Sequence, residues 1–583
     1  MPQARRRTVP PAMIPARIRL RLVEALRPSD LQLTLLWAGV VGCLAALSSI
    51  GFRKLFALFQ SLVWQCEGDP IAAATSIPDA QRLLVPALGA CAAGLVIRYG
   101  ARLAKDEPST DFMEAVAVGD GTIRVKPSLV KSAASLVSVS SGASIGREGA
   151  MAQLASMLAS WVARRRNFSV PRKQLLVACG AAAGIASAYN APIAGALFVA
   201  EIVLGSIAME SLGPLVFASV VSTVVTRAFL GGQPLFAIPA FRLVSAIEMG
   251  PYLLLGGLLG ALAPYFVRAL RGAESAFVRV LPTVPARMFV GGAIVGALSL
   301  VRPEVWGNGF SPIGSILGGH WAWTTVLVVL AFKLAATVAT VGSGAVGGVF
   351  TPTLFVGAAA GGLFGALVHG ALPDLTASSS AYALVGMGSF LAGTTHAPLT
   401  AILVVFEITL DYGIVLPLML ACVVAYYTSR AIDARSLYAT VLARKDRESP
   451  LHAANGTIRA LVRPGPVTVR ADASFSDLVA LFVAHRHNYL YVVDPDGRFL
   501  GAVALHDVKP FMADPSLSKL VLASEIMDPE FPFLDQDAPV GLALDKLVHH
   551  DGERLPVVDG GGGRLLVGTL SRRDLVLAMG MRK

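Results

Sequence analysis

Two short stretches of this chain carry residue types that suit the holding of an anion. Ser141–Ala150 reads SGASIGREGA and Ser343–Pro352 reads SGAVGGVFTP, 202 residues further on. In each, a glycine-containing turn precedes a helix-compatible run: Gly146 through Gly149 lead into AMAQLASMLASWV, and Gly347 and Gly348 lead into VFTPTLFVGAAAGGLFGALV. Pro352 falls in the first turn of the second run, where its missing N–H costs nothing. A helix N-terminus presents unbonded N–H groups and about half a positive charge. Two such termini meeting from different parts of the chain hold a small anion with no buried lysine or arginine, which would bind it too tightly to release. The plainer alternative is close helix packing through glycine. Glu148 lies inside the first turn. An acid among apolar residues is costly at membrane depth and for that reason suggests a function.

The elements that would position these turns are membrane helices. The 583 residues are 54% hydrophobic and 15% charged, with a mean hydropathy of +0.64, whereas soluble domains run near 25% charged. A wholly soluble enzyme, a disordered chain and a collagenous one are all excluded. Residues 451–583 carry 14 basic and 16 acidic side chains, which leaves 35 basic and 22 acidic in 1–450. The surplus of +13 belongs to the apolar part, where basic residues sit between hydrophobic runs, a sign of topology and not of nucleic-acid binding. Uncharged runs occur at Leu31–Phe52, Leu83–Ile97, Ser211–Thr226, Pro251–Val267, Met288–Val301, Trp321–Phe332, Tyr382–Thr395 and Tyr412–Ser429. Several fall short of the roughly 20 residues of a full span. Many are broken by Gly or Pro, which is tolerated at depth only inside protein or beside a wet cavity. That pattern favours a transporter or channel.

The N-terminal 27 residues hold seven Arg and one Glu without a signal-peptide core, and they read as a cytoplasmic arm. Basic clusters at Arg164–Arg166 with Arg172 and Lys173, at Arg430 and Arg435, and at Arg444, Lys445 and Arg447 are placed on the same side. The five cysteines (Cys43, Cys66, Cys91, Cys179, Cys422) show neither disulfide nor zinc spacing, so no metal site is expected. Walker A, HExxH and Ser-His-Asp contexts are absent, and no catalytic residue is assigned.

The first repeat continues: Asn190–Ile202 (NAPIAGALFVAEI) matches His396–Ile408 (HAPLTAILVVFEI) at a shift of 206. Homologous halves of this kind place a site at their interface, near the midplane, built from broken helices. A second repeat occupies the tail, where YLYVVDPDGRFLGAVALHD (Tyr489–Asp507) corresponds to RLPVVDGGGGRLLVGTLSRRD (Arg554–Asp574). Each copy reads as strand, turn, strand and helix entry, after an amphipathic helix near Phe475–His485 or Val540–His549.

These residues together resemble the CLC family of chloride channels and proton-coupled chloride exchangers. GREGA is similar to that family's GREGP motif, GSGAVGGVFTP (Gly342–Pro352) to its GxFxP region, and SAYNAP (Ser187–Pro192) and SLYATVLAR (Ser436–Arg444) to further motifs. The region KDEPSTDFMEAV (Lys105–Val116) looks like the bacterial branch labelled voltage-gated ClC-type chloride channel, and the tail resembles a CBS domain pair. The resemblance implies an all-α polytopic membrane domain, the CLC fold, with two antiparallel homologous halves and re-entrant helices, followed by an α/β CBS pair. Expected boundaries are a basic segment 1–30, the pore domain 31–445, a linker 446–462, and CBS domains 463–514 and 515–583.

It also implies a homodimer in the bacterial inner membrane, multi-pass, with both termini cytoplasmic and a chloride pathway in each subunit. Glu148 matches the gating glutamate: ionised, it fills an anion site; protonated, it yields that site to chloride. Gly146, Arg147 and Gly149 accompany it, Val349, Phe350 and Thr351 match the amides of the central site, and Tyr438 matches the phenol that donates to the anion. The family's serine hydroxyl has no clear counterpart; ungapped spacing gives Glu107, and a local shift gives Ser109 or Thr110. Exchangers carry a proton glutamate where this chain has Ile202. Glu201, which recurs as Glu407, is read as structural. Passive conduction is therefore expected, with chloride/proton antiport as the alternative. No cofactor is required. An adenine nucleotide is expected at the CBS pair, with Ser571 and Asp574 of GTLSRRD as ligands and Asp507 as the weaker equivalent, since Ala504 stands where the first copy needs its hydroxyl. A purely dimerising tail is the competing reading.

Overall fold

A computed structural model describes residues 30–64, 70–103, 110–117, 119–232, 235–236, 241, 243–438, 457–484, 488–511, 521–548, 554–560, 563–571 and 574. They fall into two compact units, one up to Leu442 and one from Ala443.

The first unit is helical. In chain order its helices are α1 (Asp30–Trp64), α2 (Pro70–Ser76), α3 (Asp79–Leu103), α4 (Phe112–Ala117), α5 (Val125–Ser140), α6 (Glu148–Arg165), α7 (Val170–Tyr189) and α8 (Pro192–Phe198). There follow α9 (Met209–Leu230), α10 (Met249–Val280), α11 (Val284–Val301), α12 (Phe310–Leu317), α13 (Trp323–Gly342), α14 (Phe350–Ala371), α15 (Ser379–Thr395), α16 (Pro398–Thr409) and α17 (Val415–Ile432). Eight helices among the described residues are long and apolar enough to cross a membrane. α3 outruns its uncharged run by taking Arg82 into its first turn and Arg102 into its last. Long side chains of this kind carry their charge out to the interface.

The two halves match in backbone conformation at their equivalent turns. Asn190 and His396, which end α7 and α15, both adopt the left-handed conformation, at φ 58° and 59°. Ala191 and Ala397, which open α8 and α16, share φ near −130° and ψ near 80°. Contacts across the halves are reciprocal, as a two-fold requires: Gly146 N–H donates to Gly348 O at 2.7 Å and Gly348 N–H to Gly146 O at 2.8 Å. This bridge is antiparallel, so the chain leaves it toward α6 and toward α14 in opposite directions. α7 and α15 are buried on every side along most of their length, as an all-round apolar helix must be. Small residues allow it. A Cβ on Gly180 would lie 2.8 Å from Ala155 O, and one on Gly184 would lie 2.9 Å from Ala152 Cα, so α7 packs backbone-to-backbone on α6. Large apolar side chains such as Leu36, Leu47 and Leu58 of α1 and Val224 of α9 are exposed, as a lipid-facing surface demands.

Cys43, Cys91, Cys179 and Cys422 are unpaired thiols; Cys66 lies outside the described residues. No metal-binding cluster occurs among the described residues.

The second unit repeats one motif. β1 (Thr468–Arg470) pairs parallel with β2 (Tyr489–Val493), which pairs antiparallel with β3 (Phe499–Ala504). β4 (Leu534–Asp535), β5 (Arg554–Val558) and β6 (Leu566–Ser571) do the same. The register shifts at equivalent places, Val492/Val493 and Val557/Val558. Helices Phe475–Ala484 and Val540–Val548 precede β2 and β5.

Candidate functional site: a cavity between two helix N-termini

Glu148 is the first residue of α6 and is 5% exposed. Its Oε1 accepts a very short hydrogen bond from Thr351 Oγ1, and the Thr351 hydroxyl also meets the Tyr189 hydroxyl at 3.0 Å. Its Oε2 is buried with no hydrogen-bond partner among the described residues. That oxygen points into the glycine turns: a Cβ on Gly348 would lie 3.2 Å from it, and one on Gly146 would run into it. A buried acceptor without a donor is costly. The carboxylate is thus held on one side only, which suits a group that must leave its place or take up a proton.

Beside Glu148 lies a cavity of about 240 Å³. Gly149 at the start of α6 and Val349 and Phe350 at the start of α14 line it, together with Tyr189, Phe198 and Tyr438. Phe350 and Thr351 occupy the first turn of α14, whose N–H groups have no preceding turn to bond. Phe198 packs edge-on against both Phe350 and Tyr438, with centroids 5.9 and 5.7 Å apart. Tyr438 reaches the cavity from the segment after α17. That segment is pinned by Leu437 N–H to Thr394 O at 2.8 Å, by Arg271 to Ser436 O at 2.7 Å, and by Arg268 and Arg435 on Asp433. The Arg435 hydrogen bonds hold the Asp433 carboxyl down at about 2, with help from Arg268. Residues beyond Tyr438 in SLYATVLAR lie outside the described residues.

Four expected ligands stand elsewhere. Thr351 is not part of the cavity lining, and its hydroxyl is engaged by Glu148 and Tyr189. The Gly146 N–H is spent on Gly348 O, so the turn contributes a cross-half bridge and no free amide at that residue. Arg147 is half-buried, its guanidinium 5.2 Å from the centre of the Phe56 ring, and is not part of the cavity lining. Thr110 turns its carbonyl to Gln153 Nε2 at 2.9 Å, and the neighbouring Asp111 lines the cavity instead. Ser109 and Glu107 lie outside the described residues. Sequence reasoning also missed Tyr189, Gln153 and Lys131. Tyr189 was legible as the one phenol of SAYNAP; nothing local distinguishes the other two.

Glu201 and Glu407 exchange places between the halves. Glu201 accepts Leu399 N–H at 3.2 Å, Thr400 N–H at 2.8 Å and Thr400 Oγ1 at 2.7 Å. Glu407 accepts Ile193 N–H at 3.0 Å and Ala194 N–H at 2.8 Å. Each carboxylate caps the opening turn of the other half's short helix, the position where negative charge is most stabilising. Ile202 follows in a π-helical turn, Val199–Leu204.

In the second unit a cavity of about 310 Å³ is lined by Arg463, Asn488, Tyr489, Tyr491, Arg554 and Thr569 among others. Burial pushes the Tyr491 phenol up to about 12, so it stays a neutral donor. Asp574, expected as a ribose acceptor, is held by Arg463 and by Ser571 Oγ at 2.6 Å. Neither it, Ser571 nor the exposed Asp507 lines this cavity.

A family model described as voltage gated chloride channel matches residues 88–430. The chain belongs to the CLC family. A CBS-domain model matches 458–514 and 523–580. A relative from Ralstonia nicotianae, named putative chloride channel protein ClcB-like, is 49% identical over 411 residues, 70% of this chain and 96% of that one. The voltage-gated ClC-type chloride channel ClcB of Citrobacter koseri is 40% identical over 410 residues, 69% of this chain and 97% of its own. A solved slow cyanobacterial Cl⁻/H⁺ antiporter matches with a TM-score of 0.63 at 25% identity, covering 71% of this chain and 97% of that structure. A eukaryotic CLC transporter matches with a TM-score of 0.62 at 18% identity, covering 93% and 97%; at that identity the likeness is one of fold. The membrane unit therefore has the CLC fold and the tail is a CBS pair. This is a membrane protein of a chloride-transporting family.

Proposed function

We propose that each subunit of a homodimer carries one pathway for chloride or a similar small anion across the bacterial inner membrane, gated by Glu148, with both termini cytoplasmic. The observation that carries this reading is the half-held carboxylate of Glu148 beside a cavity walled by two helix N-termini and a phenol. Chloride in that cavity would be held by the open amide of Phe350, by the end of α6 at Gly149, and by the Tyr438 hydroxyl. Partial charges of this kind bind an anion without trapping it. Protonation of Glu148 removes the competing negative charge and opens the path.

Conduction is read as passive, because Ile202 stands where exchangers carry their proton glutamate and Glu201 is engaged as a helix cap. The rival reading, chloride/proton antiport, is favoured by the likeness to the cyanobacterial antiporter. Paired chloride and proton flux in proteoliposomes separates them. Dissipation of a chloride gradient without proton movement supports conduction; stoichiometric proton uptake driven by chloride overturns it.

The CBS pair is read as a regulatory site for an adenine nucleotide. Tyr489 and Tyr491 offer faces for a base, and Arg463 and Arg554 offer guanidinium groups for phosphate. Asp574 would join only by leaving Arg463. Titration of the full-length protein with ATP, ADP and AMP, read by thermal shift, tests this; no shift with any of them removes the ligand and leaves the dimerising reading.

A further inference from the structure

The cavity beside Glu148 is lined by a second carboxylic acid. Asp111 immediately precedes α4, and its Oδ1 accepts the Met113 N–H at 2.9 Å, the bond of a helix N-cap. A cap is at home on any surface, but Gln153 sets this one inside the cavity. Gln153 Oε1 accepts the Phe112 N–H at 2.9 Å, and its Nε2 donates to Thr110 O at 2.9 Å and Ser128 Oγ at 3.1 Å. The backbone on both sides of Asp111 is thereby clamped to α6. Gln153 follows Glu148 by five residues, about 7–8 Å along the helix axis at roughly 1.5 Å per residue. One helix therefore carries the gate at its first residue and the clamp on the second acid little more than a turn later. The charged and titratable groups lining the cavity with Asp111 are Lys131 of α5, Glu148 of α6, Tyr189 of α7 and Tyr438 of the terminal segment. Ser132 and Gln153 are the neutral polar neighbours.

A carboxylate and a chloride in one cavity of this size repel, and Lys131 is the only cation lining it among the described residues. A carboxylic acid beside the same chloride repels nothing and can donate its O–H. We propose that Asp111 is a second proton-binding acid of the anion path: it takes up a proton as chloride fills the cavity, and it stands ionised beside Lys131 when the cavity is empty. The proton arrives from solvent on a carboxylate oxygen of Asp111 and returns to solvent, or passes through cavity water to Glu148; the cavity has room for about eight waters at roughly 30 Å³ each. Position 202 has no part in this route. Linkage makes the effect mutual: whatever factor chloride adds to proton affinity, protons add to chloride affinity.

The proposal rests on the reading of this cavity as the anion site, and the experiment keeps the two apart. Chloride is titrated calorimetrically into the full-length protein in detergent with gluconate as the other anion. Titrations run at pH 5.5 and 7.5, each in two buffers of different ionisation enthalpy. Glu148→Gln removes the first acid, so that any remaining proton uptake reports the second. Asn is as good an N-cap as Asp, so Asp111→Asn preserves the Met113 bond and the fold. Glu148→Gln is expected to take up about half a proton per chloride and to lose affinity about tenfold between the two pH values, where a full proton would give about a hundredfold. The double variant Glu148→Gln/Asp111→Asn is expected to bind with neither dependence, and Asp111→Glu in the same background to keep both. Chloride binding by Glu148→Gln that is independent of pH and buffer overturns the role of Asp111 and leaves the anion site standing. Absence of chloride heat in every variant overturns the anion site and this proposal with it.

Discussion

Glu201 and Glu407 decide whether the repeated Glu-Ile is structural or part of a proton route. Glu201→Ala removes three hydrogen bonds to a charged acceptor, from Leu399 N, Thr400 N and Thr400 Oγ1, and Glu407→Ala removes two. Net values of about 1.5–3 kcal/mol apply to such bonds when buried. The contacts at Leu399 and Ile193 are exposed and belong at or below the low end of that range. The Thr400 and Ala194 bonds are only part-buried and the two Thr400 donors share one oxygen, so they too are taken near the low end, which gives about 3–5 kcal/mol for Glu201→Ala and about 2–3 kcal/mol for Glu407→Ala. Glu201→Gln keeps one acceptor oxygen and turns an NH₂ toward the Leu399 N–H, so about 1–2 kcal/mol is expected. A chain of this size melts about 1 °C lower for each kcal/mol lost, because the unfolding entropy grows with length. The melting temperature in detergent is therefore expected to fall by about 3–5 °C for Glu201→Ala, less for Glu407→Ala and least for Glu201→Gln. The same preparations are reconstituted for paired flux. Chloride flux per folded protein, its pH profile and the proton-to-chloride ratio should all match wild type in Glu201→Gln. An unchanged melting temperature together with an altered pH profile or proton ratio would refute the capping argument and return Glu201 to the proton path.

Glu148→Gln is expected to abolish the pH dependence of chloride flux contributed by the gate, measured as initial rates in proteoliposomes between pH 4.5 and 7.5, while keeping the Thr351 bond through its amide oxygen. Tyr438→Phe removes one donor and should weaken chloride binding by about 1–1.5 kcal/mol, five- to tenfold, by calorimetry. Gly146→Ala places a Cβ on Glu148 Oε2 and 2.9 Å from Gly348 O; flux should fall sharply, and a wild-type rate would show that the bridge is not needed. The Asp433 clamp has a defined pH sign. With its carboxyl depressed to about 2, below the usual value near 3.9, its contribution is fully present above about pH 4 and is lost as pH falls through about 2. Between pH 5 and 8 the flux profile of Asp433→Asn should run parallel to wild type, and a change of shape there would contradict this assignment.

Much of the architecture can be read along the chain. Charge depletion and broken apolar runs dictate a membrane domain with interrupted helices, because unsatisfied backbone cannot face lipid. The matching Ala-Pro and Glu-Ile pairs mark the halves, and the tail repeat marks the CBS pair, since a strand–turn–strand pattern is local. Glu148, Val349, Phe350 and Tyr438 converge on one cavity, and Gly149 with them. The sequence could place them at helix starts and chain ends, because caps, glycines and hydropathy act over a few residues.

Which polar groups remain available was decided only in three dimensions. Gly146 and Gly348 are 202 residues apart, and their amides are spent on each other; either one taken alone looks like an open N–H in a glycine turn. Glu201 looks as though it serves its own helix, yet it caps the other half's helix at Leu399 and Thr400. Thr110 has the hydroxyl an anion would use, but Gln153 takes its carbonyl and turns Asp111 toward the cavity. Asp574 has the right spacing for a ribose, and Arg463 already holds it. Local pattern sets where a helix begins and what it exposes. A buried hydrogen bond has one acceptor position and few donors that reach it, so its ownership is settled by packing between segments far apart in the chain.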